Sequence, residues 1–95
     1  MTPSERHKSR VRAAGCVIGN RRLGECAGPV TVHHVAEGSG VRSDFATVGL
    51  CYGHHQGSAG IHGMGVKAFC RTYRPPGESE YGLLVWVNAD MERLR

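Results

Sequence analysis

The chain has no apolar run long enough to cross a bilayer, which excludes a transmembrane helix within its 95 residues. Its first residues are polar and basic with no apolar core behind them, which excludes a secretory signal of the usual form. The expected compartment is therefore the cytoplasm, where thiols stay reduced. Four cysteines in that setting favour metal ligation over disulfides. No internal repeat or low-complexity segment is present. Acids are scarce over most of the chain: residues 1–74 carry ten Lys and Arg against four Asp and Glu, whereas residues 75–95 carry two against four. A basic body of this kind suits a polyanionic partner, most simply nucleic acid, although a solvated basic surface has the same composition. The length sets one domain, 1–95, whose core is modest enough to call for a metal or disulfide staple.

Histidine, in contrast, is concentrated. Five of the six histidines fall between positions 33 and 62. They occur as His33-His34, as His54-His55 after Leu50-Cys51-Tyr52-Gly53, and as His62 between Ile61 and Gly63. Histidine is both the commonest metal ligand and the commonest general base near neutral pH. Two His-His pairs and a fifth His in so short a window read as a metal site with a base beside it.

Local signals place these residues. Thr2-Pro3-Ser4-Glu5 is a helix start, with Thr2 as cap, Pro3 at the first helical position and Glu5 completing a capping box. The helix is expected over Pro3 to Ala14, within a basic N-terminal unit 1–14. It carries Arg6, His7, Lys8, Arg10 and Arg12 over most of its surface, fit to lie along phosphates or simply to be solvated. Residues 17–29 read as a knuckle-like loop holding Cys26. Val30 to Val35 is β-branched and alternating, hence a strand, and Phe45 to Leu50 is a second. Residues 37–42 form a flexible turn between them. A helical turn should open near Cys51, residues 57–60 are loop, and a helix should run from Met64 to Tyr73 until Pro75-Pro76-Gly77 breaks it. The tail, 75–95, packs back on the 15–74 core and reads as a helix, with a strand over Leu83–Val87 as the alternative. Trp86 and Tyr81 are expected in its core packing.

A histidine at the end of the first strand and another on the following helix is the layout of a ββα-metal nuclease. Phosphodiester hydrolysis needs a base to deprotonate water and a cation to stabilise charge on the phosphate and the leaving oxygen. A histidine serves as base only if it is not consumed as a ligand. Neighbours on a strand face opposite sides, so His34 is assigned as general base and His33 as metal ligand, with His55 and His62 completing the metal set from a helix and a loop. All-histidine ligation is softer than the oxygen-rich sites that suit magnesium and tolerates zinc, manganese or nickel, so the catalytic ion is left open, with magnesium, manganese and zinc as its candidates. A second, structural zinc set is expected from Cys16, Cys26, Cys51 and His54, in which Cys51-x-x-His54 has half-site spacing and Cys16 to Cys26 is wider than the usual knuckle. Cys70, beside Phe69 on a predicted helix, reads as core. Arg42, in a glycine loop, is either a phosphate contact or a surface cation.

The stretch from Gly15 to Tyr73 resembles the Ref-like (recombination enhancement) HNH endonucleases of phages and prophages. The matching pieces, in order, are Gly15-Cys16, the strand ending in His33-His34, Gly38-x-Gly40-x-Arg42, Leu50-Cys51-x-x-His54-His55, Gly60-Ile61-His62-Gly63 and Lys67-Ala68-Phe69. The resemblance implies an α+β fold: a small ββα-metal (HNH, or His-Me finger) domain with a structural zinc site and flanking helices. It implies a metal-dependent DNA endonuclease acting in recombination or repair in a bacterial host cell, and the better-known members cut DNA paired with a RecA filament. By the family pattern His34 matches the base and His55 the last histidine of the motif, while His54 takes a place where many such proteins have a structural cysteine. Two departures stand out. Position 19 is Gly where a Cys-x-x-Cys half-site is common, and the middle Asn has no clear counterpart, Ser43, Asp44 and Thr47 occupying its region.

Two other classes compete. A non-catalytic, zinc-stabilised DNA-binding module would keep Cys16, Cys26, Cys51 and His54 but has no use for His34, His55 and His62. A small phage interaction protein would keep the fold and use the tail on a host partner.

Overall fold

The first helix forms as its capping signal dictates. In the computed structural model, which describes residues 1–36 and 40–95, α1 spans Pro3–Ala14. The Thr2 hydroxyl accepts from the Glu5 amide at 3.2 Å, and the Glu5 carboxylate accepts from the Thr2 amide at 3.2 Å. The hydrogen bond from Thr2 also holds the Glu5 carboxyl below its ordinary range. Val11 is the one α1 side chain that is fully buried. Gly15 ends the helix in the left-handed region, φ 89°, which only glycine enters without strain.

Where a loop is expected over residues 17–29, one helical turn, α2 (Val17–Asn20), precedes the irregular stretch. Val17 and Ile18 are fully buried, and their burial draws the backbone after Cys16 down into the core.

Strands β1 (Val30–His34) and β2 (Thr47–Cys51) pair antiparallel, with His33 opposite Val48 and His34 opposite Thr47. The second strand starts two residues later than expected. The amides of Phe45 and Ala46 bond back to Ser43, at 3.1 Å each, and this tight turn keeps Asp44 and Phe45 out of the ladder. Glu37, Gly38 and Ser39, part of the expected turn, lie outside the described residues.

One turn, α3 (Tyr52–His55), follows β2 directly, with the Cys51 sulfur accepting from the His54 amide at 3.4 Å. The helix expected over Met64 to Tyr73 forms as α5 (Val66–Tyr73), starting two residues later, and Met64 ends a separate turn, α4 (Ile61–Met64), parted from it at Gly65, whose φ is 92°. His62 therefore sits on a helical turn and not in a loop. Arg74 closes α5 in the left-handed region and Pro75 prevents its continuation. A 3₁₀ turn, Pro76–Glu78, leads to α6 (Glu80–Glu92), capped by Ser79.

The tail is thus a helix, and the strand alternative over Leu83–Val87 does not occur. Glu80, Leu83, Val87 and Asp90 are all buried, and they recur at three- and four-residue intervals along one helix face. This spacing prevails over the β-branched character of the run. Trp86 packs against the core beneath the Arg21 guanidinium, 4.7 Å from the ring centroid. Tyr81, expected in the core, is half exposed. The buried Asp90 carboxylate takes two hydrogen bonds from Arg21, at 2.9 and 3.1 Å, and one from Asn20 at 2.9 Å, tying α2 to α6.

The result is a small compact α+β fold in which a two-stranded sheet is wrapped by helices. Its core gathers Val11, Ile18, Val48, Leu50, Phe69 and Leu83, and Cys70 is buried as expected. Among the described residues no helix is long and apolar enough to cross a membrane.

Candidate metal centres

Two clusters of ligand-type side chains form, one from the start of α2, the loop after it, the end of β2 and α3, the other from β1, α3 and α4. In the first, Cys16, Cys26, Cys51 and His54 bring one ligand atom each to within 4.8 Å of all the others. The His54 Nδ1 lies 3.1 Å from the Cys51 sulfur and 3.6 Å from the Cys16 sulfur. Sulfur and nitrogen ligands on one tetrahedral zinc stand roughly 3.5 Å apart, given bonds of about 2.3 and 2.1 Å. The four residues expected from sequence are therefore the four that converge, at separations suited to a single ion.

Gly19 is where the sequence departs from the common Cys-x-x-Cys half-site, and the structure gives a steric reason. A β-carbon on Gly19 would overlap the Cys26 sulfur. Cys26, reaching in from the longer loop, occupies the space that a side chain at position 19 would fill. The wide Cys16–Cys26 gap and the glycine are two parts of one solution.

The electrostatics of this set are compatible with a bound cation. Burial opposes the Cys51 thiolate, but amide donors from Ala27 and His54 outweigh it, and the net shift is downward. Partial burial, together with Cys51 and Cys16 beside it, pushes the Cys26 thiol up to about 12. One thiolate is thus favoured, and a further one is resisted by its neighbours unless a positive charge sits among them. Burial also lowers the His54 pKa, which keeps its ring neutral and able to ligate.

In the second cluster His33, His55 and His62 bring ring nitrogens to within 4.8 Å of one another. The hydrogen bonds around them fix which nitrogens are presented. The Thr31 hydroxyl donates its one proton to the Leu50 carbonyl at 2.7 Å, so at 2.8 Å it can only accept from His55 Nδ1–H. His55 therefore turns a bare Nε2 lone pair toward His62 Nε2, 3.1 Å away. His33 Nε2 lies 2.7 Å from the Glu80 carboxylate, which is acceptor-only, so Nε2 carries the proton and Nδ1 the lone pair. Burial lowers the His33 pKa against the pull of Glu80. Burial, then the charges of His33, His62 and His34, lower that of His55 to about 4. His33 and His55 are buried and His62 is exposed, so the cluster opens to solvent on the His62 side.

His34 stands apart from these three. Its Nε2 donates to Asp44 Oδ1 at 2.8 Å, so in the neutral ring Nδ1 is the nitrogen that carries the lone pair. That hydrogen bond, with Lys8 3.6 Å from the other carboxylate oxygen, holds the Asp44 carboxyl below its ordinary range. The Thr47 hydroxyl donates to the Asp44 backbone carbonyl at 3.0 Å and fixes the turn. Of the three residues in the region of the missing Asn, Asp44 is thus the one whose side chain hydrogen-bonds to the His34 ring.

The proposed DNA contacts are less concentrated. Arg6, Arg10, Arg12 and Arg42 are exposed, while Lys8 is spent on Asp44. Sequence reasoning missed Glu80 and Thr31, which orient His33 and His55. The signal for Glu80 was an acid heading an otherwise apolar helix, and no local pattern marked Thr31. Comparison of the chain with protein-family models, with curated proteins and with solved structures finds no match.

Proposed function

We propose that this chain is a metal-dependent DNA endonuclease of the HNH, ββα-metal type, similar to the Ref-like enzymes. The observation that carries the reading is the division of labour among four histidines. Three turn ring nitrogens to a common point, while the adjacent His34 is oriented by a carboxylate and kept out of the ligand set. A binding module stabilised by zinc alone has no need of that second arrangement.

In this reading Cys16, Cys26, Cys51 and His54 hold a structural zinc, the ion that suits a closed set of three sulfurs and one imidazole. His33, His55 and His62 hold a catalytic divalent ion, magnesium, manganese or zinc, which would supply charge stabilisation at the phosphate and leaving oxygen. The residues do the remainder. His34 Nδ1 takes a proton from water, and Asp44 at Nε2 stabilises the imidazolium that results. Glu80 and Thr31 hold His33 and His55 in the tautomers that present lone pairs. The basic face of α1, through Arg6, Arg10 and Arg12, and Arg42 on the loop receive the DNA backbone. Action in recombination or repair in the cytoplasm of a bacterial host, on DNA paired with a RecA filament, is the part of the proposal that rests on the resemblance alone.

The test is nicking of supercoiled plasmid by wild type and His34→Ala, each stripped and then given magnesium, manganese or zinc. Wild type should nick with at least one ion, and the variant should be slower by about 10²- to 10⁴-fold with unchanged zinc content. Wild-type-like cleavage by the variant would remove the base assignment. DNA binding without cleavage under any ion, or with a RecA filament added, would leave the zinc-stabilised binding module as the function.

A further inference from the structure

A cleft of about 470 Å³ lies between α1 and the turn before β2, lined by Met1, Pro3, Arg6, His7, Arg10 and Phe45, with Ser9 the remaining described lining residue. That volume falls in the range of roughly 300–1,000 Å³ usual for small-ligand sites. Two features set it apart from ordinary surface. Phe45 is 57% exposed, although it is one of only two phenylalanines in the chain and follows the residue that orients His34. It is nonetheless held in place: its amide bonds to the Ser43 hydroxyl at 3.1 Å, and its ring lies 5.4 Å from that of His7, tilted by 46°. Among the described residues the lining carries two guanidiniums and no carboxylate, so its described charge is positive.

From this geometry we infer that the cleft is a subsite for an unpaired nucleotide of the DNA strand, its base stacked on Phe45 and His7 and its phosphates met by Arg6 and Arg10. A fixed aromatic face beside cations is the arrangement by which proteins hold single-stranded nucleic acid without reading its sequence. A base inside a duplex is already stacked on its neighbours and presents only its edges, so a ring on the protein surface gains a base only where the strand is unpaired. The chain connectivity sets the register. Phe45 follows Asp44 directly, Asp44 holds His34, and Lys8 on the same helix as Arg6 and Arg10 braces Asp44. A base stacked on Phe45 thus sits one residue along the chain from the carboxylate that orients His34. The inference rests on the DNA-binding part of the function proposed above and adds that the preferred substrate has an unpaired segment.

The test is binding, read by fluorescence anisotropy without magnesium or manganese, of a short oligothymidylate and of a mixed-sequence duplex of equal length. Wild type should favour the single strand. Phe45→Ala should weaken single-strand binding by about ten- to a hundredfold and leave duplex binding alone, and Phe45→Trp should restore it. Arg10→Ala should weaken both and flatten the dependence on salt. Because Phe45 is exposed, none of these outcomes depends on a disturbed core. Single-strand binding unchanged in Phe45→Ala, lost equally for both probes, or absent in wild type overturns the inference. Plasmid nicking is read separately. A protein that never nicks but shows the Phe45-dependent preference loses the nuclease reading and keeps this subsite; one that nicks without the preference keeps the nuclease and loses the subsite.

Discussion

Glu80 accepts a hydrogen bond from His33 Nε2 at 2.7 Å, with both side chains about 95% buried, and its second oxygen accepts from the Ala36 amide at 3.3 Å. A residue at the head of the last helix thus sets the tautomer of a residue at the end of the first strand. The pair also ties α6 to the strand on which the proposed catalytic site depends.

The first prediction follows from that pair. Glu80→Gln keeps size and one acceptor but removes the charge that makes His33 a better ligand. Affinity of the His33, His55 and His62 set for manganese or zinc should fall by about 10- to 100-fold. Isothermal titration of protein whose cysteine set is already filled would measure it. The zinc held by that other set should be unchanged, which separates a positioning effect from general unfolding. Equal affinity in wild type and variant would reduce Glu80 to an ordinary buried acid.

The second concerns Gly19. An added methyl group must displace the Cys26 sulfur or the backbone of α2, which is anchored by the fully buried Val17 and Ile18. Gly19→Ala should lower zinc content and cost about 1–3 kcal/mol of stability, the usual range for overpacking. Elemental analysis after gel filtration and a urea titration would report both. Full zinc occupancy at an unchanged midpoint would mean that Cys26 is not held where the structure puts it. Gly19→Cys is the informative companion, because it offers the sulfur from the shorter spacing and tests whether Cys26 then becomes dispensable.

The parts of this structure that were legible in sequence are those fixed by local chemistry. Thr2, Pro3 and Glu5 announced α1 to the residue, and β1 followed from the alternation of Val30 to His34. The membership of both Cys/His clusters was legible too, because Cys and His in such density have few other uses. Boundaries decided by tertiary contact were not. The start of β2 depends on Ser43 bonding back from Phe45 and Ala46, and the break between α4 and α5 depends on one glycine dihedral. The orienting residues were hidden for a different reason. Thr31 and Glu80 act on histidines that lie 24 and 47 positions away in the chain, and nothing in a local pattern encodes such a pairing, whereas Asp44 lies in the region already singled out for the missing Asn. His54 and His55 are neighbours in sequence, yet one turns to the cysteine set and the other to the histidine set, as the sequence reading divided them, so α3 links the two clusters.

The third prediction is a pH dependence of the metal-free protein. Burial, helped by the charges of His33, His62 and His34, lowers His55 from its ordinary 6.5 to about 4. Burial likewise lowers His33, against Glu80, and His54. Each of these rings takes up its proton later in the folded protein than in the unfolded chain. Between 6.5 and about 4 the unfolded state therefore binds more protons, and stability must fall as the pH falls. The contribution is complete above the ordinary histidine value. Asp44 and Glu5, held below the usual carboxylate range, add a further loss only at lower pH. Urea midpoints of chelator-treated protein at about pH 7.5 and about pH 4.5 should differ in that direction, and His55→Gln should flatten the slope. Restoring the metal should steepen it, because the ion binds neutral imidazole and competes with the same protons. A midpoint that is level or rises on acidification would show that the histidines are not buried neutral, and the ligand tautomers assigned to His33 and His55 would fall with it.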